Sequence, residues 1–316
     1  MARASVLGAA VSGRLAALAL VALGAAAPAH AEVYYLIVAG LGGEPTYEEQ
    51  FAKDADALAA VARRTTSPNR VMLLKGEGAT REAVVASLES LKTRTKPADS
   101  VIVMLVGHGS YDGETYKFNL PGPDLDGDQF AELLSAVPAR SQLVVNATSA
   151  SGAILDKWTA DGRTVITATR SGFERNATRF AQHFAAALAA GSADINKNGV
   201  ITAQEAFDYA ARSVADSFEK EGTLATEHPQ IKGGTPARFT VARLGGAAPA
   251  EPAATSPAVA ALVARRDKLD EDIEALRARR ESMPNDTYLA ELQRLLVELA
   301  EVQAQIDAAQ QPGQGQ

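Results

Sequence analysis

No cysteine occurs among the 316 residues, which excludes disulfides, thiolate metal ligands and any mechanism that attacks through sulfur. Basic charge is also short. With residues 1–31 set aside, 29 Lys and Arg stand against 38 Asp and Glu, a net charge of −9. Nucleic-acid phosphates call for clustered Lys and Arg, so no nucleic-acid partner is expected. No apolar run after the N-terminal segment approaches the ~20 residues of a spanning helix, so no membrane span is expected once that segment is removed. Two glycine motifs are missing as well. The loop Ala39-Gly40-Leu41-Gly42-Gly43 follows a strand, but Pro45 breaks any G-x-G-x-x-G, and the next helix starts too late to meet a pyrophosphate. Around Ser149, Ala147 and Ser151 occupy the two glycine positions of a G-x-S-x-G elbow.

Residues 1–31 carry Arg3 and Arg14, no acidic residue, an apolar run from Leu15 to Ala27 and an Ala29-His30-Ala31 ending. This pattern predicts a signal peptide cut after Ala31 and a periplasmic or secreted product. With 47% hydrophobic residues the remainder can bury a sizeable core. Short β-branched runs predict strands at Val33–Ala39, Val71–Lys75, Val101–Val106, Gln142–Asn146, Thr164–Thr169 and Ala237–Arg243. Helical patterns lie between them at Glu48–Arg64, Thr80–Thr95, Asp128–Ala136, Glu174–Ala190 and Ala203–Phe218. Such alternation predicts one α/β domain over 32–244, a three-layer α/β/α arrangement around a mainly parallel six-stranded sheet. An Ala/Pro-rich stretch without periodicity, 245–257, reads as a linker. Helical spacing of apolar residues over 258–309, broken at Pro284-Asn285-Asp286, predicts a helical hairpin with coiled-coil character. Its seam closes internally, on a second copy by self-association, or on a partner. Residues 310–316 are expected to be a disordered tail.

Ligands and chemistry in open parallel sheets gather at the carboxyl ends of the strands. Two loops there carry reactive side chains: Gly107-His108-Gly109-Ser110 and Ala147-Thr148-Ser149-Ala150-Ser151-Gly152. Adjacent strands would bring the His108 imidazole to a hydroxyl as a general base. A strand ending in G-H-G, followed about 40 residues on by a strand ending in A-C-x-S-G, is the pattern of the legumain and caspase superfamily of cysteine peptidases, which residues 33–243 resemble. The resemblance implies a caspase-like fold and matches His108 to the catalytic histidine. Counting from Ser151-Gly152 places Ser149 at the cysteine position; counting from Asn146-Ala147 places Thr148 there. Either way a hydroxyl replaces the thiol, and a hydroxyl needs a well-aligned base with an orienting group. The nearest carboxylates in sequence, Asp112 and Glu114, fall in a loop. The leading expectation is therefore a degenerate peptidase homologue that binds a peptide or protein ligand. A serine- or threonine-type peptidase using His108 is the alternative, and a third reading makes the hairpin the working part. The resemblance also implies that Arg170 could shape a specificity pocket.

The string Asp194-Ile195-Asn196-Lys197-Asn198-Gly199-Val200-Ile201-Thr202-Ala203-Gln204-Glu205 matches an EF-hand loop. It predicts a structural Ca²⁺ held by Asp194, Asn196, Asn198, the Val200 carbonyl, Thr202 through water, and Glu205. His183 reads as a packing residue and His228 as a loop-rim residue, neither with metal-ligand spacing.

Overall fold

A computed structural model describes residues 31–244 and 257–310. The predicted signal peptide up to His30, nearly all of the linker and nearly all of the tail lie outside the described residues. Elements follow in the order β1 (Val33–Ala39), α1 (Pro45–Thr65), β2 (Val71–Leu74), α2 (Arg81–Arg94), β3 (Ser100–Gly107), β4 (Gly109–Tyr111), β5 (Tyr116–Phe118), β6 (Leu125–Asp126) and α3 (Gly127–Ser135). Then come β7 (Ser141–Thr148), α4 (Leu155–Trp158), β8 (Arg163–Thr167), α5 (Phe180–Ala190), β9 (Val200–Thr202), α6 (Ala203–Glu221), β10 (Gln230–Lys232) and β11 (Thr240–Arg243), with α7 (Pro257–Ala278) and α8 (Asn285–Gln310) at the end.

Six strands form one sheet in the order β10-β8-β7-β3-β1-β2. All neighbours run parallel except the edge pair β10 and β8. Side chains alternate across a strand, and both faces are apolar here, as a sheet covered on two sides requires. Tyr35, Ile37, Ile102, Met104, Leu143 and Val145 point into one core with α1, α5 and α6. Leu36, Val38, Val103, Leu105, Val144 and Val165 point into the other with α2, α3 and the Trp158 indole. These are the two helical layers of a three-layer α/β/α fold.

Two expectations need correction. The sixth strand of the sheet is Gln230–Lys232, not Ala237–Arg243; β11 pairs instead with β9 in a separate ladder. The helix expected over Glu174–Ala190 begins only at Phe180, because side-chain bonds hold residues 170–179 as a loop. A small sheet of β4, β5 and β6, which the apolar pattern did not announce, folds over the end of β3.

In α7 and α8, Leu269, Ile273, Leu276, Tyr288, Leu295, Val302 and Ile306 share one apolar cluster. The Arg265 guanidinium meets the Glu298 carboxylate at 2.7 Å across the two helices. Among the described residues no helix is long and apolar enough to cross a membrane.

Candidate functional site

β3 and β7 are parallel neighbours, and their register sets Gly107 opposite Thr148. The next residue of each strand, His108 and Ser149, is therefore brought to the same point on the carboxyl edge. His108 Nδ1 lies 3.5 Å from Ser149 Oγ, and the Gly109 N–H donates to the same oxygen at 3.3 Å. Ser149 is buried, 1% exposed. Gly109 permits this approach: a Cβ there would stand 2.5 Å from the Ser149 carbonyl oxygen and 2.7 Å from Thr148 Oγ1. Gly107 supplies the turn, with φ of 148°.

Thr148 faces elsewhere. Its hydroxyl donates to Asn146 Oδ1 at 2.8 Å and lies 2.6 Å from the Tyr116 hydroxyl, and Asn146, Thr148 and Tyr116 are all buried. Burial pushes the Tyr116 phenol up to about 12, against the pull of its bonds to Thr148 and Asn146. A one-residue step along a strand reverses the face, so His108 meets Ser149 and not Thr148.

The His108 ring packs edge-on against Tyr47 and Phe51, each 5.1 Å away by ring centroid. Partial burial lowers its pKa below the ordinary histidine value, while a backbone bond with Gly42 and the Glu44 carboxylate pull the other way. The Gly42 peptide is itself fixed, its N–H donating to Glu48 Oε2 at 2.8 Å. The net shift implies a neutral imidazole at pH 7. A histidine-ring NMR titration is expected to give His108 a midpoint below ~6.5, and a midpoint above it would contradict this balance. Asp112 takes no part: its Oδ1 accepts the N–H groups of Glu114 and Thr115 in the turn between β4 and β5.

The segment after Ser149 is held by a second layer. Ala150 has φ of 58° and donates its N–H to the Glu174 carbonyl at 2.7 Å. The Glu174 carboxylate gathers the Arg170 N–H and Nε, both at 3.0 Å, and the His228 N–H and Nδ1 at 3.2 and 2.6 Å. Arg170 thus reaches the edge as the partner of Glu174, and His228 is tied to the same carboxylate. His183 sits on α5 with its pKa lowered by burial, then by Arg179 and Lys220. Glu174 and Glu227 had no motif to mark them; only the carboxylates' placement in the fold makes them part of this edge.

The calcium expectation is overturned. Among the described residues no group of three or more His, Cys, Asp or Glu could hold a metal ion. The oxygens of the EF-hand-like string are spent on its own backbone. Asp194 accepts the N–H groups of Asn198 and Gly199 at 3.1 and 2.9 Å. Asn196 accepts the Asn198 N–H and Asn198 the Val200 N–H. The carboxylate of Glu205 closes a capping box with Thr202, accepting its N–H at 3.0 Å while the Thr202 hydroxyl takes the Glu205 N–H at 3.2 Å. Asp, Asn and Thr favour such turns and caps for the same reason they favour a cation, a short side chain ending in oxygen. Millimolar Ca²⁺ or a chelator is therefore expected to leave the Tm unmoved, whereas a ligand of the native state would raise it.

No family model and no curated protein matches the sequence. Solved structures do. Protein GSU0716 from Geobacter sulfurreducens is similar over 65% of this chain and 94% of its own, at 13% identity and a TM-score of 0.42. The Drosophila initiator caspase Dronc is similar over 64% and 79%, at 10% identity and 0.44. Caspase-1 from Spodoptera frugiperda is similar over 70% and 92%, at 12% identity and 0.47. The likeness is distant and concerns the fold.

Proposed function

We propose that this chain is a catalytically degenerate homologue of the caspase and legumain peptidases that binds a peptide or protein segment at the carboxyl edge of its sheet. The observation that carries the reading is the state of Ser149. Its hydroxyl is buried, stands at the outer limit of a hydrogen bond from His108, and occupies the Gly109 N–H. An N–H that holds the resting hydroxyl is not poised for a developing oxyanion. Among the described residues no carboxylate hydrogen-bonds His108; the ring is oriented by a backbone bond with Gly42, which lacks the charge that would stabilise an imidazolium. The rim of the edge supports binding instead. Phe173 is 69% exposed, yet its ring is fixed by Tyr111 edge-on at 5.7 Å and by the Arg175 guanidinium at 5.9 Å. A pre-ordered aromatic anchor loses little entropy when it meets a partner.

The second reading is a serine-type peptidase, favoured by the convergence of His108 on Ser149. In either case the C-terminal pair of helices, as a hairpin, would add self-association or partner contacts through the exposed Leu289, Leu296 and Val297 of α8.

One experiment separates the readings: a broad peptide library offered to the protein, with His108→Ala, Ser149→Ala and Thr148→Ala alongside. The expected result is no turnover above the variants, together with amide NMR shifts at Gly109 and Phe173 on peptide addition that Phe173→Ser diminishes. Turnover abolished by both His108→Ala and Ser149→Ala would establish the peptidase and defeat the binding reading.

A further inference from the structure

Glu227 takes no part in the contact between His108 and Ser149, and its chemistry is unusual. The side chain is 3% exposed. Oε2 accepts the Arg179 N–H at 2.8 Å, while Oε1 is buried with no hydrogen-bond partner among the described residues. Burying an ionised carboxylate with one oxygen that no protein group answers costs far more than burying the neutral acid.

The charged groups around it do not cancel the cost. From the 170–179 loop, Glu174 repels it. Arg179 attracts it, but the Arg179 guanidinium is already forked onto Glu221 of α6, at 2.7 Å from each nitrogen, and stacked over the Phe218 ring. Arg170 is engaged with Glu174. His228, the next residue, turns its Nδ1 to Glu174 as well. His183 of α5 and Lys220 of α6 lie about Arg179. Desolvation, with Glu174, pushes the Glu227 carboxyl up to about 7.

What this carboxyl faces gives the ionisation a consequence. Glu174 is the joint between three segments: its side chain holds His228, Arg170 four residues before it is bound to the same carboxylate, and its carbonyl holds the Ala150 N–H next to Ser149. Four residues on, the Thr178 hydroxyl donates to the Ala147 carbonyl at 2.6 Å. A second negative charge behind this joint is relieved by parting the 227–228 segment from the 170–179 loop.

We propose that Glu227 is a proton-operated latch on the candidate site: protonated, it keeps the 227–228 segment closed on the 170–179 loop and the Ser149 turn held; ionised, it releases both. The controlled site is that of the binding reading, so the latch as regulation rests on that reading, but its motion is read without any peptide.

Hydrogen–deuterium exchange of the full chain at pH 6 and pH 8, corrected for intrinsic rates, tests it. Exchange at residues 147–152 and 170–179 is expected to rise at least about ten-fold between the two, and Glu227→Gln is expected to remove the rise. Equal protection at both pH values, or the same rise in the variant, overturns the latch. Should the variant fold poorly, the carboxyl ¹³C titration of Glu227 in the unaltered protein decides: a midpoint at or below ~4.5 overturns it. Failed peptide binding leaves the latch standing, and equal exchange at both pH values leaves peptide binding standing, so the two readings fall separately.

Discussion

Trp158→Ala is expected to lower the unfolding free energy by about 3–5 kcal/mol, the range for deleting a large buried aromatic. Trp158 is 1% exposed and packs against Phe130 at 4.5 Å and Tyr116 at 5.9 Å between ring centroids. Its indole N–H donates to the Gly127 carbonyl at 2.8 Å, so truncation also strands a buried acceptor. The loss reaches the site, because Tyr116 is the floor on which Thr148 and Asn146 rest. Trp158 is the chain's single tryptophan, so denaturation must be followed by circular dichroism. A change under ~1 kcal/mol would mean that this core repacks without it.

The next largest effect is a pH dependence. Glu227 has a raised folded-state pKa, about 7 against an ordinary 4.5. Between those values the folded chain keeps a proton that the unfolded chain has lost, so stability declines as pH rises through the window and the cost is complete above about 7. At 1.36 kcal/mol per pK unit the cost at pH 8 is about 3 kcal/mol. Glu227→Gln keeps an oxygen for the Arg179 N–H and removes the charge. It is expected to be more stable than the parent by about that amount at pH 8 and nearly equal to it at pH 4.5. Urea titrations at the two pH values check this; a gain of the same size at both would assign the effect to packing.

Much of the fold was legible because each central strand is apolar on both faces and each helix has one apolar stripe. The runs Val33–Ala39, Val101–Val106 and Gln142–Asn146 lie within β1, β3 and β7, and their βα alternation leaves few topologies to choose among. β10 was not legible. Gln230-Ile231-Lys232 has one apolar residue, and as an edge strand it is specified by β8 beside it, not by a pattern of its own. The loop over 170–179 was hidden for a related reason: Glu174, Thr178 and Arg179 suit a helix, and it is bonds to distant Ala147, Glu227 and His228 that prevent one.

At the site, the sequence could bring His108 and a hydroxyl to one edge but could not choose between Thr148 and Ser149. Which of the two lies beside His108 depends on which residue is the last to pair with β3; Tyr116 and Asn146 take the Thr148 hydroxyl, and Ser149 Oγ is the one 3.5 Å from the imidazole. The EF-hand-like string misled for a chemical reason. Oxygen atoms at its alternating positions satisfy N–H groups as readily as they satisfy a cation, and spacing alone does not say which.

β11 carries a consequence for how the chain reaches its native state. The hydroxyl of Tyr35, in the first strand, donates to the Val241 carbonyl at 2.7 Å, a separation of 206 residues, and the Arg243 N–H donates to Thr65 Oγ1. Closing so long a loop brings its entropy cost before its reward. At synthesis rates of ~5–20 residues per second, some 10–40 s pass between the emergence of Tyr35 and that of its partner. β1 can pair with β2 and β3 long before β11 exists, so the closing contact of this half of the core is expected to form late in folding.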